Sequence, residues 1–249
     1  MIGEKSQWVD ALLATLTFLL IAWTIFGAEE VLGYGLKTYG LRPREARGLI
    51  GIVSMHFLHG DIGHIARNSM SFLILNGFLF FFYRKIAWKV FLQVALIGGL
   101  LLWLWARPSN HIGASLLIYG EASFLFFSGI FRRDERMLRV SLVVAFVYGS
   151  IVWWVLPIDP SISWEGHLSG ALIGIVAAYR YRGDGPKRKK YQWEIEEELL
   201  EQRRLDEEQS PTNTTLSQDY FYEFKPRLGT ENVETEDVDD DGDEEQSKE

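Results

Sequence analysis

Ser115 and His167 are the two residue types that nucleophilic catalysis needs at minimum. An imidazole takes a hydroxyl proton, and the freed oxygen attacks an electrophilic carbon. Ser115 stands in Gly113-Ala114-Ser115, and His167 in Gly166-His167-Leu168-Ser169-Gly170. Each lies at the start of a strongly apolar run. Polar and ionisable groups at membrane depth are costly, so they are functional suspects by default. Alone, each has an ordinary reading: a serine bonded back to a helix carbonyl, a histidine capping an interface. Together, and with the polar residues around them, they point to catalysis.

His64 and Asn68 are spaced i, i+4 and share one helix face. A ring N–H and a side-chain amide are the donors that a developing oxyanion requires. The structural alternative for Asn68 is a helix-helix hydrogen bond, and that reading is preferred for the deeper Asn76. Tyr119 is i+4 from Ser115, where its ring can pack against His167. Gly170 and Gly174 form a small-xxx-small surface, and Gly113, Ala114 and Gly120 keep the facing helix slim. Ser and His must approach to about 2.6–3.2 Å, so the helices that carry them must touch.

A membrane-spanning helix needs roughly 20 apolar residues. Six segments qualify, near 8–27, 64–83, 88–106, 113–131, 139–156 and 166–182. The first has only Lys5 as a preceding base and no clear small-residue cleavage site, so it reads as a retained span rather than a signal peptide. The connections alternate in charge. Arg84, Lys85 and Lys89 separate spans two and three. Arg132, Arg133, Arg136 and Arg139 separate spans four and five. Arg180, Arg182 and Lys187-Arg188-Lys189-Lys190 follow span six. By contrast, 157–165 has no Lys or Arg and 107–112 has only Arg107, while the long first loop, about 28–63, has Lys37, Arg42, Arg44 and Arg47 but is large enough to be a weaker vote. The positive-inside rule puts both termini in the cytoplasm. Spans two, four and six then enter from outside, at His64, Ser115 and His167. With a rise of about 1.5 Å per residue, Ser115 and His167 lie level, close under the outer surface. All five histidines (His56, His59, His64, His111, His167) fall on that side.

Composition divides the chain. The formal net charge is -8, yet residues 192–249 hold 21 acidic and 5 basic side chains. The remainder is therefore apolar and net basic. Cysteine is absent, which excludes disulfides and thiolate metal sites. The expected domains are a membrane domain over 1–182 and a cytoplasmic tail over 183–249. The tail begins with a short amphipathic helix near 192–208 and is disordered and acidic beyond Ser210. Its acidity argues against nucleic acid. The island Tyr220-Phe221-Tyr222-Glu223-Phe224 is a candidate dock for a cytoplasmic partner.

These motifs carry a resemblance. His59-Gly-Asp-Ile-Gly-His64-Ile-Ala-Arg-Asn68 resembles the second-helix motif of rhomboid intramembrane serine proteases. His111-Ile-Gly113-Ala114-Ser115 with Tyr119-Gly120 is similar to their nucleophile motif. Gly166-His167-Leu-Ser-Gly170-Ala-Leu-Ile-Gly174 is similar to their base-bearing last helix. The resemblance covers about residues 8–182 in the right order. It implies an all-α polytopic membrane fold, a six-span bundle with a partly membrane-embedded first loop. It implies a cofactor-free, metal-free serine endopeptidase of the plasma (inner) membrane, acting on single-span substrates in contact with lipid. The active site would open to the outer side. It assigns Ser115 as nucleophile and His167 as general base, with no third carboxylate. It assigns His64, Asn68 and the Ser115 amide to the oxyanion, Tyr119 to a stack on His167, and Gly113 and Gly170 to support. His59 matches a structural position, and span five or the cap 157–165 would move to admit substrate.

Leu116 departs from the family's Gly-x-Ser-Gly, and the Trp-Arg pair of some members' first loops is absent. Leu116 implies altered efficiency or specificity, and it is the best support for the alternative, a catalytically silent client-binding protein. Glu121 is i+6 from Ser115, roughly 240° round the helix, and faces away from the pair. A metal site at His56, His59 and His64 lacks the His-Glu-x-x-His pattern. A transporter built on Glu121 lacks an inverted repeat.

Overall fold

The apolar runs form helices, and the polar punctuation between them sets where each begins. A computed structural model describes residues 2–184 and 192–209. The chain divides into two units, 1–189 and 190–249. Within the first unit, α1 is Ile2–Leu32 and α2 is Ile62–Phe82. Next, α3 covers Ala87–Trp105. Then α4 is Ser115–Arg132, α5 is Glu135–Tyr148 and α6 is Trp164–Arg180. A 3₁₀ segment, Gly149–Val155, prolongs α5. Among the described residues there is no strand, only one bridge between Leu41 and His111.

Four helical segments are long and apolar enough to cross a membrane: Ala11–Leu32, Ile62–Phe82, Ala87–Trp105 and Glu135–Val155. They expose many large apolar side chains, Phe146 at 92% among them, which suits contact with lipid rather than water. The chain is thus an all-helical polytopic membrane protein. The two other helices, α4 and α6, are shorter at 18 and 17 residues. α4 is the most enclosed: Leu116, Leu117, Phe124 and Leu125 are all buried, and so is Glu121.

Side-chain caps fix three helix starts. The Asp61 carboxylate accepts from His64 N at 2.9 Å, and Asp134 accepts from Met137 N at 3.1 Å. The Ser163 hydroxyl accepts from Gly166 N at 3.3 Å. Each satisfies a backbone donor that a helix start leaves open.

Two contacts make α4 and α6 inseparable. A Cβ on Gly170 would stand 2.1 Å from the Leu116 carbonyl oxygen, and one on Gly174 would stand 2.1 Å from that of Gly120. The two pairs share one sequence offset, so the helices run parallel with backbones in contact. Only glycine permits this approach. α3 accommodates the pair through a widened π-helical turn, Gln93–Gly98. Such turns recur at functional positions.

The second unit contains one described element, α7, Gln192–Gln209. It carries exposed Trp193, Ile195, Leu199, Leu200 and Leu205. The tail beyond Ser210, including the aromatic island, lies outside the described residues.

Candidate active site

The α4–α6 register sets the relative depth of the serine and the histidine. Leu116 faces Gly170. Ser115 is therefore level with Ser169, and His167 lies two residues, about 3 Å along the axis, towards the N-terminal end of α6. Ser115 is half-buried, so its hydroxyl is reachable. It makes no hydrogen bond among the described residues, and none joins it to His167. Apo catalytic contacts are often loose and tighten when substrate binds.

His167 is held on two sides. Its ring lies flat on Tyr119, with centroids 4.0 Å apart and planes 6° apart. Its Nδ1 is 2.8 Å from the Trp154 carbonyl. A carbonyl only accepts, so Nδ1 carries the proton and Nε2 keeps the lone pair that a general base uses. The Tyr119 hydroxyl in turn donates to the Ile151 carbonyl at 2.9 Å. Both anchoring carbonyls belong to the segment after α5, so that segment orients the imidazole.

His64 and Asn68 converge on Gly113. A Cβ on Gly113 would stand 2.6 Å from His64 Nε2 and 3.2 Å from Asn68 Nδ2. Gly113 also has φ +112, in the region that disfavours side chains. Two independent demands thus require glycine. The Gly60 N–H approaches His64 Nδ1 at 3.5 Å, which leaves Nε2 to carry the proton towards Gly113. Gly113→Ala is expected to push these donors out of line while straining the turn. Reporter cleavage should fall at least tenfold, and the detergent melting temperature should drop. Retained cleavage would show that the donors tolerate displacement.

His59 is the support for Asn68. Asn68 Nδ2 donates to His59 Nε2 at 3.1 Å, so His59 is neutral, with its proton on Nδ1. Burial, reinforced by neighbouring His64, pushes the His59 pKa from 6.5 to about 4, and burial pushes His56 to about 4. A histidine whose folded pKa is depressed binds protons more readily when unfolded. Its stabilising contribution is present above pH 6.5 and is lost as pH falls from 6.5 towards 4. The melting temperature is therefore expected to be flat above about pH 6.5 and to decline below it. The decline should be shallower in His59→Phe. Equal slopes for both proteins would remove His59 as the cause.

A polar cluster that no local motif announces lies at the N-terminal end of α6. His111 Nε2 donates to the Arg107 carbonyl at 3.2 Å, and the Ser163 hydroxyl donates to His111 Nδ1 at 2.6 Å. Burial holds the His111 pKa below the ordinary value, consistent with a neutral ring. Arg107 Nε pairs with Glu165 Oε1 at 3.2 Å, and Glu165 is only 2% exposed. The Trp105 indole donates to Ser169 at 2.9 Å. Together these fasten the turn that carries His167 to the end of α3. The available signals were Arg107, the only base in its connection, and Ser163 three residues before Gly166.

Leu116 turns away from the site. A Cβ on Gly98 would stand 3.0 Å from Leu116 Cδ2, so a glycine of α3 makes room for the leucine. Glu121 is buried and has no hydrogen-bond partner for either oxygen. Asn76 donates to Thr15 at 2.8 Å, a helix-helix bond between α1 and α2.

Comparison with known proteins fits this arrangement. A family model described as Rhomboid domain matches residues 46–183. Curated relatives include uncharacterized proteins of Mycobacterium bovis and Mycobacterium tuberculosis. Each is 34% identical over 187 residues, covering 71% of this chain and 77% of the relative. An uncharacterized protein of Mycobacterium leprae is 31% identical over 188 residues, covering 71% of this chain and 74% of its own. The match runs from the first loop past the end of α6 and takes in every residue of the constellation, and on that ground the chain belongs to the rhomboid family.

Proposed function

We propose that the protein is an intramembrane serine endopeptidase that cleaves transmembrane segments of other membrane proteins. The observation that carries the reading is the double fixing of His167 by the Tyr119 ring and the Trp154 carbonyl, beside an uncommitted Ser115 hydroxyl. A substrate segment, unwound at small or helix-breaking residues, presents a backbone carbonyl to Ser115. His167 Nε2 takes the hydroxyl proton as Oγ attacks. His64 Nε2–H, the Asn68 amide and the Ser115 backbone N–H stabilise the oxyanion. His167 then gives its proton to the departing amine. Water from the outer face hydrolyses the acyl-enzyme.

The backbone carbonyl of Trp154 serves the orienting role that a carboxylate serves in a triad. The proposed topology has six spans, both termini in the cytoplasm and the site near the outer face. The exposed Leu49, Ile50 and Val53 support a first loop seated partly in lipid. The 3₁₀ segment that holds His167 is the proposed mobile element at substrate entry.

A fluorophosphonate probe tests the reading, because it labels an activated serine and ignores an ordinary one. Wild type is expected to label and Ser115→Ala to stay unlabelled. Co-expressed single-span reporters should be cut only by wild type. The missing Ser115–His167 hydrogen bond favours a second reading, a silent rhomboid-like protein that binds transmembrane clients. Absence of both labelling and cleavage, with clients still co-purifying, would establish that reading instead.

A further inference from the structure

A cavity of about 610 Å³ lies between α1, α2 and α3, remote from the serine and histidine. Its walls include Phe18, Phe57, Phe80, Trp88 and Phe91, with Arg84 at one end. From Ile21 to Leu13 along α1 the cavity runs roughly 12 Å, given a rise of 1.5 Å per residue. The walls are preformed. Phe18 stacks on Phe72 at 4.3 Å, Phe80 meets Trp88 edge-on at 4.8 Å, and Trp88 meets Phe91 at 5.8 Å. The Asn76–Thr15 bond fixes the spacing of α1 and α2. These contacts keep the slot from closing, and so apolar a space in a bilayer takes hydrocarbon rather than water.

We propose that this slot holds one anionic phospholipid, with an acyl chain against the aromatic walls and the headgroup phosphate at Arg84. Two observations select that occupant. The mouth is basic, because exposed Arg84 lines it, exposed Lys85 and Lys89 are close to Arg84 in the chain, and exposed Trp88 lines it too. Cationic clusters next to a span attract anionic headgroups, and tryptophan settles at the headgroup level. A transmembrane substrate helix fits less well, because such segments carry Lys and Arg on their cytoplasmic flank, which this mouth would repel. The cytoplasmic placing of the mouth rests on the proposed topology. The test reads bound lipid rather than proteolysis, so it can fail without the peptidase reading failing.

The full chain, purified in mild detergent, is offered equal phosphatidylglycerol and phosphatidylcholine, and retained lipid is counted by native mass spectrometry. Wild type is expected to keep one phosphatidylglycerol, preferred about tenfold. Ala14→Trp, which fills the slot, should release it at an unchanged melting temperature. If that variant does not fold, the surface variant Arg84→Gln/Lys85→Gln/Lys89→Gln decides, and its preference should vanish. Three results would overturn the proposal: equal retention of the two lipids by wild type, a preference that survives neutralisation of the mouth, or saturable displacement of lipid by a transmembrane peptide.

Discussion

Replacing His167 with alanine is expected to reduce reporter cleavage by on the order of 10⁴-fold or more, because nucleophile and base fail as a unit. Without that imidazole, the site keeps the His64 ring, whose Nε2 already carries a proton and cannot accept one. Glu121 is about one and two-thirds turns further along α4 and makes no hydrogen bond to any part of the site. Glu165 is committed to Arg107. The variant should still fold. It loses one ring stack and one hydrogen bond to Trp154, each contributing about 1 kcal/mol, so the melting temperature should fall only a few degrees. Fluorophosphonate labelling of Ser115 should disappear together with cleavage. Should His167→Ala retain more than about a tenth of wild-type cleavage, the imidazole is not the base. Tyr119→Phe supplies the contrast: it keeps the stack, loses the bond to Ile151, and should cost several-fold rather than thousands-fold.

Gly170→Val is expected to destroy activity by another route, through the scaffold. Its Cβ would stand 2.1 Å from the Leu116 carbonyl oxygen, and further Leu116 backbone atoms lie 3.0 and 3.2 Å away. The obstructing atoms are helical backbone, so no side chain can swing aside. The helices must separate by an ångström or more, and Ser115 and His167 separate with them. Overpacking of this kind costs typically 1–3 kcal/mol and sometimes more. Both cleavage and melting temperature should fall, in contrast to His167→Ala. Gly77 provides the control, since a Cβ there meets nothing within 4 Å. Gly77→Ala should be neutral or stabilise α2 by up to about 1 kcal/mol. Equal behaviour of the two glycine variants would remove the close-packing argument.

Leu116 shows how far a motif departure can mislead. In the linear sequence it reads as an intrusion beside the nucleophile. In the fold its side chain belongs to a different interface, where Gly98 leaves space for it. The two positions are 18 residues apart, and no local pattern links them. The cluster of Arg107, His111, Ser163 and Glu165 was hidden for the same reason. Its members sit in two connections that only the packing of α3 against α6 brings together. Glu165 in particular looks like a solvated residue beside Trp164, yet it is buried and paired.

The residue types, their order and their spacing along single helices were settled by the sequence alone. A hydrophobic run and a 3.6-residue period are local properties, so the helices, the His64–Asn68 face, the Ser115–Tyr119 face and the Gly170–Gly174 strip could all be read directly. Which backbone lies against which was decided by tertiary structure, because it depends on the summed fit of surfaces far apart in the chain. The offset of α4 against α6, the carbonyls that aim His167 and the apolar slot beside α1 all follow from that fit.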